Sequence, residues 1–310
     1  MKILLTSTSF QDTPGAHQEK LASANFDVDT LRGPVSEDVL LPIIAKYDAV
    51  VCGDDEYTRD VIKLGSEGKL KVISKYGVGL DKIDLDAAQE FNIPVTNCPG
   101  VNHVTVAEHV LALILTYYKN IHLEYNVTKS GGWFRHIGRE LHGKKLGILG
   151  LGKIGKQLAL VATGIGMKVS AYDIFLDQDY CESNRIEIAK CLEGLVKDID
   201  ILSLHLPLTK ESEGMVNTKV LKHAQKKITI VNTSRALVVD QPSLYRALDD
   251  QSIEAYLVDV LEEEPMKADH PLLKYPNVLI TPHIGSRTHE SVQRQGLMAV
   301  DNLFKTLNVS

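Results

Sequence analysis

KLGILGLGKIG runs from Lys145 to Gly155 and joins two kinds of local structure. An apolar, β-prone run stops at Gly150 and a helix-prone run opens at Lys153, so Gly150-Leu151-Gly152-Lys153-Ile154-Gly155 falls where a strand turns into a helix. A lone glycine pattern says little, but one at that junction says much more. Gly150 permits the tight turn, Gly152 lets a pyrophosphate reach backbone N–H groups at the positive end of the helix, and Gly155 lets helix and strand pack closely. The next apolar run, residues 168–172, delivers Asp173 about 20 residues beyond the glycines, where an acid holds ribose hydroxyls and repels a 2′-phosphate. No Arg or Lys follows in Ile174-Phe175-Leu176, so NAD is expected in preference to NADP.

Working outward, 310 residues are enough for two cores. Residues 2–6, 48–53 and 70–76 read as strands alternating with helical stretches at 16–25, 57–64 and 85–91, a βαβ rhythm. Asn97-Cys98-Pro99-Gly100 interrupts it, marking a candidate domain boundary, and an apolar-periodic helix is expected over 104–118. The rhythm restarts at 145–149, continues with a helix over 153–165, and gives further strands at 168–172, 200–205, 228–232, 256–259 and 278–281. The second half therefore reads as a complete doubly wound α/β unit with a parallel sheet. A last helix over 288–304 lies beyond its final strand and is expected to pack back on the first half.

Composition narrows the classes. With 44% hydrophobic and 24% charged residues the chain reads as ordinary globular protein, and no apolar run approaches the ~20 residues of a membrane span. A net charge of −6 offers nothing to phosphate backbones or anionic lipid, so neither nucleic acid nor membrane is an expected partner. The N-terminus lacks the pattern of an export signal, which points to the cytoplasm. The four cysteines form no CxxC pair and read as small buried hydrophobes. His103 with His109, and His136 with His142, are six residues apart and fall on different helix faces, so no metal is expected.

Three segments carry the remaining chemistry: Asn232-Thr233-Ser234-Arg235, Glu262-Glu263-Glu264-Pro265 and Thr281-Pro282-His283-Ile284-Gly285. Each follows an apolar strand, and in an open α/β sheet ligands bind outside the carboxyl ends of the strands. Reducing a 2-oxo acid needs a planar cation for the carboxylate, a proton donor for the ketone oxygen and a positioned hydride. Arg235, His283 and the cofactor match those needs, and Glu264 is the carboxylate expected to orient His283 and keep it protonated.

These residues bring the chain to a family resemblance. SKYGVGLDKIDLDAA, NCPGVNHVTVAEH, GKKLGILGLGKIGKQLA, VNTSRALVVD, DVLEEEP and TPHIG, in that order, resemble the D-isomer-specific 2-hydroxyacid dehydrogenases, especially the phosphoglycerate, glycerate and hydroxypyruvate branch. The resemblance implies an NAD-dependent oxidoreductase passing a hydride between the nicotinamide and C2 of a small 2-hydroxy or 2-oxo acid. It implies a Rossmann-type NAD domain, residues 99–285, inserted into a flavodoxin-like substrate domain made of 1–98 and 286–310, the cleft between them closing on substrate. Arg235, Glu264 and His283 are then catalytic, while backbone amides of Val78 and Gly79 grip the substrate carboxylate. Lys153, Ile154, Asp173, Leu206, Pro207, Thr233, Ser234, Asp259 and Gly285 join the fingerprint glycines at the cofactor, with Asp259 facing the nicotinamide amide. A homodimer is implied, built on the 104–118 helix and an arm around Gly131-Gly132-Trp133.

Departures from the family pattern bear on substrate. Ala236 stands where many relatives have Gly, a change expected to leave Arg235 in place. The loop after the third strand, Cys52-Gly53-Asp54-Asp55-Glu56, is acidic where phosphoglycerate enzymes often place an Arg, which weakens phosphoglycerate unless Arg59 or Lys75 compensates. Arg287 reads as a surface residue at a helix start, with a second cation for a diacid or phosphorylated substrate as the alternative. The chain ends before an extra regulatory domain of the long phosphoglycerate enzymes, so serine-type feedback is not expected. Formate oxidation is disfavoured, because that branch pairs its His with Gln where this chain has Glu264. The rival reading from another class is an NADH-sensing regulatory binder of the co-repressor kind.

Overall fold

The computed structural model describes residues 1–309. Two compact units emerge: Met1–Asn102 with the segment from Arg287 onward, and His103–Ser286.

The first unit is built on a parallel sheet of β1 (Lys2–Leu5), β2 (Asp27–Thr30), β3 (Ala49–Cys52), β4 (Val72–Lys75) and β5 (Val95–Thr96), in the order β2-β1-β3-β4-β5. That is the flavodoxin-like order, with its switch point between β1 and β3. The runs AVVC and VISK are buried throughout, as strands covered on both faces must be. The C-terminal helix, His289–Leu307, belongs to this unit. Thr288 caps it by accepting from the Ser291 amide at 3.3 Å, and Val292, Ala299, Val300 and Leu303 bury their side chains with Ile3, Leu5, Val51 and Val72.

The second unit holds β6 (Lys145–Leu149), β7 (Lys168–Tyr172), β8 (Glu187–Ile188), β9 (Ile201–Leu204), β10 (Thr229–Asn232), β11 (Ala255–Val258) and β12 (Val278–Ile280). All are parallel, in the order β12-β11-β10-β9-β6-β7-β8, so the chain reverses direction of growth between β6 and β9. This is the Rossmann order, and its switch point lies beside the glycine-rich turn. Helices His103–Tyr118 and Lys153–Gly164 share one core with Leu146, Ile148, Val231 and Leu257. Leu202, Leu204, Ile230, Tyr256 and Val258 point into a second core on the opposite face.

Several strands are shorter than the sequence runs suggest, and two of them start beside matching aspartates. Asp48 accepts from the Lys2 amide and Asp200 from the Lys145 amide, each at 2.8 Å. An aspartate just ahead of β3 or β9 thus brackets the start of a neighbouring strand by its side chain while its own backbone bonds to the same residue. Cys52, Cys98 and Cys181 are buried as expected, but Cys191 is exposed. Its sulfur accepts from the Gly194 amide at 3.3 Å and caps the Leu192–Val196 helix, a polar duty that keeps it at the surface. Among the described residues no helix is long and apolar enough to cross a membrane.

Candidate active site

The cofactor cradle is assembled by three glycines with three different constraints. Gly150 has φ of +95°, and a Cβ on it would stand 2.8 Å from the His205 carbonyl oxygen. At Gly155 a Cβ would meet the Gly150 carbonyl at 2.2 Å, so only glycine lets the helix start this close to β6. Gly152 differs: its φ of −70° suits any residue, and nothing lies within 4 Å of where its Cβ would point. The space it leaves is the approach a pyrophosphate needs at the first turn of the Lys153–Gly164 helix. Gly152→Ala is therefore expected to leave the melting temperature within about 2 °C of wild type while raising the NADH dissociation constant about tenfold or more. Fluorescence titration and thermal melts check this; an affinity that survives the methyl group would put the pyrophosphate elsewhere.

Around the cradle the remaining groups fit a dinucleotide. Asp173, at the end of β7, accepts from the Leu151 amide at 2.6 Å and from the Phe175 amide at 2.8 Å. Those amides fix the carboxylate and leave further lone pairs for hydroxyl donors. Ile174 and Phe175, not singled out in the sequence, are 75% and 87% exposed and flank that acid with bare apolar surface. Lys153 is exposed and Ile154 half-buried at the helix start, while Leu206 and Pro207 follow the end of β9. The Thr233 hydroxyl, after β10, is buried without a hydrogen-bond partner among the described residues, an orphan that a ligand would satisfy.

The acid, base and cation candidates lie at the carboxyl ends of three adjacent strands. Asn232 of β10 registers with Val258 of β11, which registers with Ile280 of β12. Arg235 comes three residues after β10, Asp259 and Glu264 follow β11, and His283 follows β12. All four therefore stand at one edge of one sheet. His283 Nδ1 and Glu264 Oε2 are 2.8 Å apart, and Glu264 Oε1 accepts from the Leu261 amide at 2.9 Å. The carboxylate thus fixes the ring through Nδ1. His283 has φ of +52°, a left-handed conformation that is uncommon for a residue with a side chain.

Two buried polar residues hold these loops. Asn232 accepts from the Ser234 amide (3.0 Å) and hydroxyl (2.9 Å), and its own amide group donates to the Arg235 carbonyl at 2.9 Å. Arg235 in turn donates to the Ser234 carbonyl at 2.8 Å. Asp259 accepts from the Thr281 hydroxyl (2.6 Å) and from the amides of Ile284 (2.9 Å) and Gly285 (2.7 Å), so it clamps both sides of His283. Burial pushes the Asp259 carboxyl up, but hydrogen bonds from His109, Thr281 and Ile284 outweigh it and hold the group below its usual value. His109, which the sequence offers only as an unsuited metal ligand, lies 3.1 Å from the Thr281 hydroxyl and 3.3 Å from Asp259. Its separation of 172 residues from Thr281 leaves no local pattern to read.

In the first unit, Val78 and Gly79 follow β4 on a turn whose Gly77 has φ of +137°. The Asn97 side chain donates to the Val78 carbonyl at 2.8 Å, while the amides of Val78 and Gly79 donate to no partner among the described residues. Two successive bare amides can donate to an anion when the backbone curves them together. The acidic loop after β3 is less repulsive than its sequence implies. Asp55 is buried, accepts from Thr6 and from the Val35 amide at 2.7 Å, and is shifted up by that burial. Asp54 pairs with Lys75 at 2.5 Å. Neither expected compensating cation is spare: Lys75 is buried against Asp54 and the Gly53 carbonyl, and Arg59 is paired with Glu90 at 2.5 Å.

Comparison with known proteins agrees with this architecture. Residues 111–285 match the family described as D-isomer specific 2-hydroxyacid dehydrogenase, NAD binding domain. The D-3-phosphoglycerate dehydrogenase of Methanocaldococcus jannaschii is 36% identical over 309 residues, 99% of this chain and 57% of that protein, so the chain spans little more than half of that relative. The glyoxylate reductase of Korarchaeum cryptofilum is 34% identical over 288 residues, 90% of this chain and 86% of its own length. Among solved structures, the NAD+-bound 3-phosphoglycerate dehydrogenase of Entamoeba histolytica superposes with a TM-score of 0.80 at 29% identity, covering 100% of this chain and 96% of that one. The chain belongs to the D-isomer specific 2-hydroxyacid dehydrogenase family, whose NAD-binding domain its second unit carries.

Proposed function

We propose that this protein reduces a small 2-oxo acid to its D-2-hydroxy acid, and oxidises it in reverse, with NAD as the cofactor. The observation that carries the reading is the 2.8 Å His283–Glu264 pair standing one strand away from Asp259 and two from the Arg235 loop. Reduction adds a hydride at C2 and a proton at the carbonyl oxygen. The chemistry the cofactor supplies when bound is the hydride; the protein supplies everything else.

Arg235 presents a planar fork suited to a carboxylate, and the amides of Val78 and Gly79 are assigned to the same group. His283 Nε2 gives its proton to the carbonyl oxygen on reduction and takes it back from the hydroxyl on oxidation. Glu264 offsets the ring's charge whenever both nitrogens carry protons. Asp259 keeps the loop bearing His283 in its strained conformation. The cofactor is assigned to Gly150, Gly152, Gly155, Lys153, Ile154, Asp173, Leu206, Pro207, Thr233, Ser234, Asp259 and Gly285. The first unit is assigned to substrate and the second to NAD.

The reading extends to assembly and compartment. Trp133 and Ile137 are 85% and 96% exposed, with Tyr125 and Phe134 also bare, and an apolar stretch of that kind marks a protein–protein surface, here a homodimer. Four unpaired thiols suit a reducing cytoplasm. NADH oxidation should be followed with glyoxylate, hydroxypyruvate, pyruvate, phosphohydroxypyruvate and bulkier 2-oxo acids, with chiral analysis of the product. Turnover of at least one at about 1–10³ s⁻¹ is expected, giving the D enantiomer. Tight NADH binding with no turnover across the panel would replace this reading by the regulatory binder.

A further inference from the structure

Arg287 is a cation without an internal use. Its guanidinium donates to the Thr8 hydroxyl at 3.1 Å and, among the described residues, forms no ion pair. Asp12 lies near enough to feel its charge, but that carboxylate is held by Arg32 through two contacts of 2.5 and 2.8 Å. Arg287 also sits one residue ahead of the N-cap of the 19-residue His289–Leu307 helix. A cation there faces the positive end of the helix dipole, a cost that Glu290 in the first turn offsets in part and a bound anion would offset further.

A second observation points to a ligand. Tyr76 is 7% exposed, and among the described residues its buried hydroxyl meets no hydrogen-bond partner of good geometry, while Ser9 and the charge of Arg287 both act on it. A buried hydroxyl left open costs free energy that a bound acceptor restores. Tyr76 directly precedes the Gly77-Val78-Gly79 turn with its bare amides. Arg287 follows His283 by four residues, a tether that spans at most about 14 Å. Lys75, Arg59 and Arg32 are already committed to Asp54, Glu90 and Asp12.

We propose that Arg287, steered by Thr8 and backed by the Tyr76 hydroxyl, forms a subsite for a second anionic group, a carboxylate or phosphate at the far end of the 2-oxo acid. This rests on the dehydrogenase reading above and narrows its substrate to acids with two anionic groups. The test uses matched pairs with the full-length protein and NADH: oxaloacetate against pyruvate, and phosphohydroxypyruvate against hydroxypyruvate. The ratio of kcat/KM within each pair is the readout, and the pair that responds tells carboxylate from phosphate. Wild type should favour the doubly anionic member in at least one pair. Arg287→Ala should lower that ratio about tenfold or more, Arg287→Lys by less, and Tyr76→Phe by about threefold. Ratios below one in both wild-type pairs, or an Arg287→Ala effect equal on both members, overturn the subsite while the dehydrogenase reading stands. Turnover of no 2-oxo acid overturns both.

Discussion

Replacing His283 with alanine is expected to lower kcat by about 10²- to 10⁴-fold while the NADH dissociation constant moves by less than about threefold. The asymmetry follows from position. His283 stands beyond the end of β12, fixed through Nδ1 by Glu264, whereas the cofactor cradle is the separate turn after β6 with Asp173 behind it. Removing the imidazole deletes the proton at the carbonyl oxygen and leaves the glycine-rich turn and Asp173 unchanged. Asp259 still receives the amides of Ile284 and Gly285, so the loop keeps its anchor. Glu264→Gln should cost less, about 10- to 100-fold, because an amide can accept from Nδ1 without offsetting the ring's charge. The double variant decides whether the two act as a unit: Glu264→Gln in the His283→Ala background should add almost nothing, since orienting a missing ring has no value. Steady-state kinetics and NADH titration of the three variants measure all of this. A His283→Ala enzyme within tenfold of wild type would remove the imidazole from the chemistry.

The parts of this architecture legible in the sequence are those fixed by local rules. Strands β6 and β7 were read to the residue because each is a short β-prone run bounded by a turn or an acid. The edge strands β2 and β8 were not. DVDT and EI carry little apolar signal, since an edge strand is covered less completely than its central neighbours. The Arg235, Glu264 and His283 assignments came from motifs placed after apolar runs, a pattern that strand registry alone makes meaningful. What holds those motifs was invisible. His109 reaches Thr281 across most of the chain, and the Asp48 and Asp200 brackets depend on which strands become neighbours. Charge was the most misleading signal. Four letters, GDDE, read as a repulsive loop, yet one of its acids is buried and hydrogen-bonded and another is neutralised by a buried lysine. Net charge in a sequence counts groups; the field a ligand meets counts only those left uncompensated.

Arg235 carries the second large effect, and the contrast between two substitutions is its signature. Arg235→Ala should cut kcat/KM for the best 2-oxo acid by about 10²- to 10³-fold, the loss for removing one partner of a desolvated charge pair. Arg235→Lys keeps the charge but not the planar fork, and should still lose about 10- to 100-fold. The local structure supports reading this loss as chemistry, not misfolding. Asn232 holds the Arg235 carbonyl and the Ser234 backbone and hydroxyl by its own amide, independently of the guanidinium, which donates to the Ser234 carbonyl. The loop therefore keeps most of its supports when the side chain is shortened. Added guanidinium ion should recover part of the activity of the alanine variant and none in the lysine variant, whose side chain still fills the path. Melting temperature and NADH affinity should stay close to wild type in both. A lysine variant as active as wild type would mean that a point charge suffices, and the bidentate grip on the carboxylate would have to be abandoned.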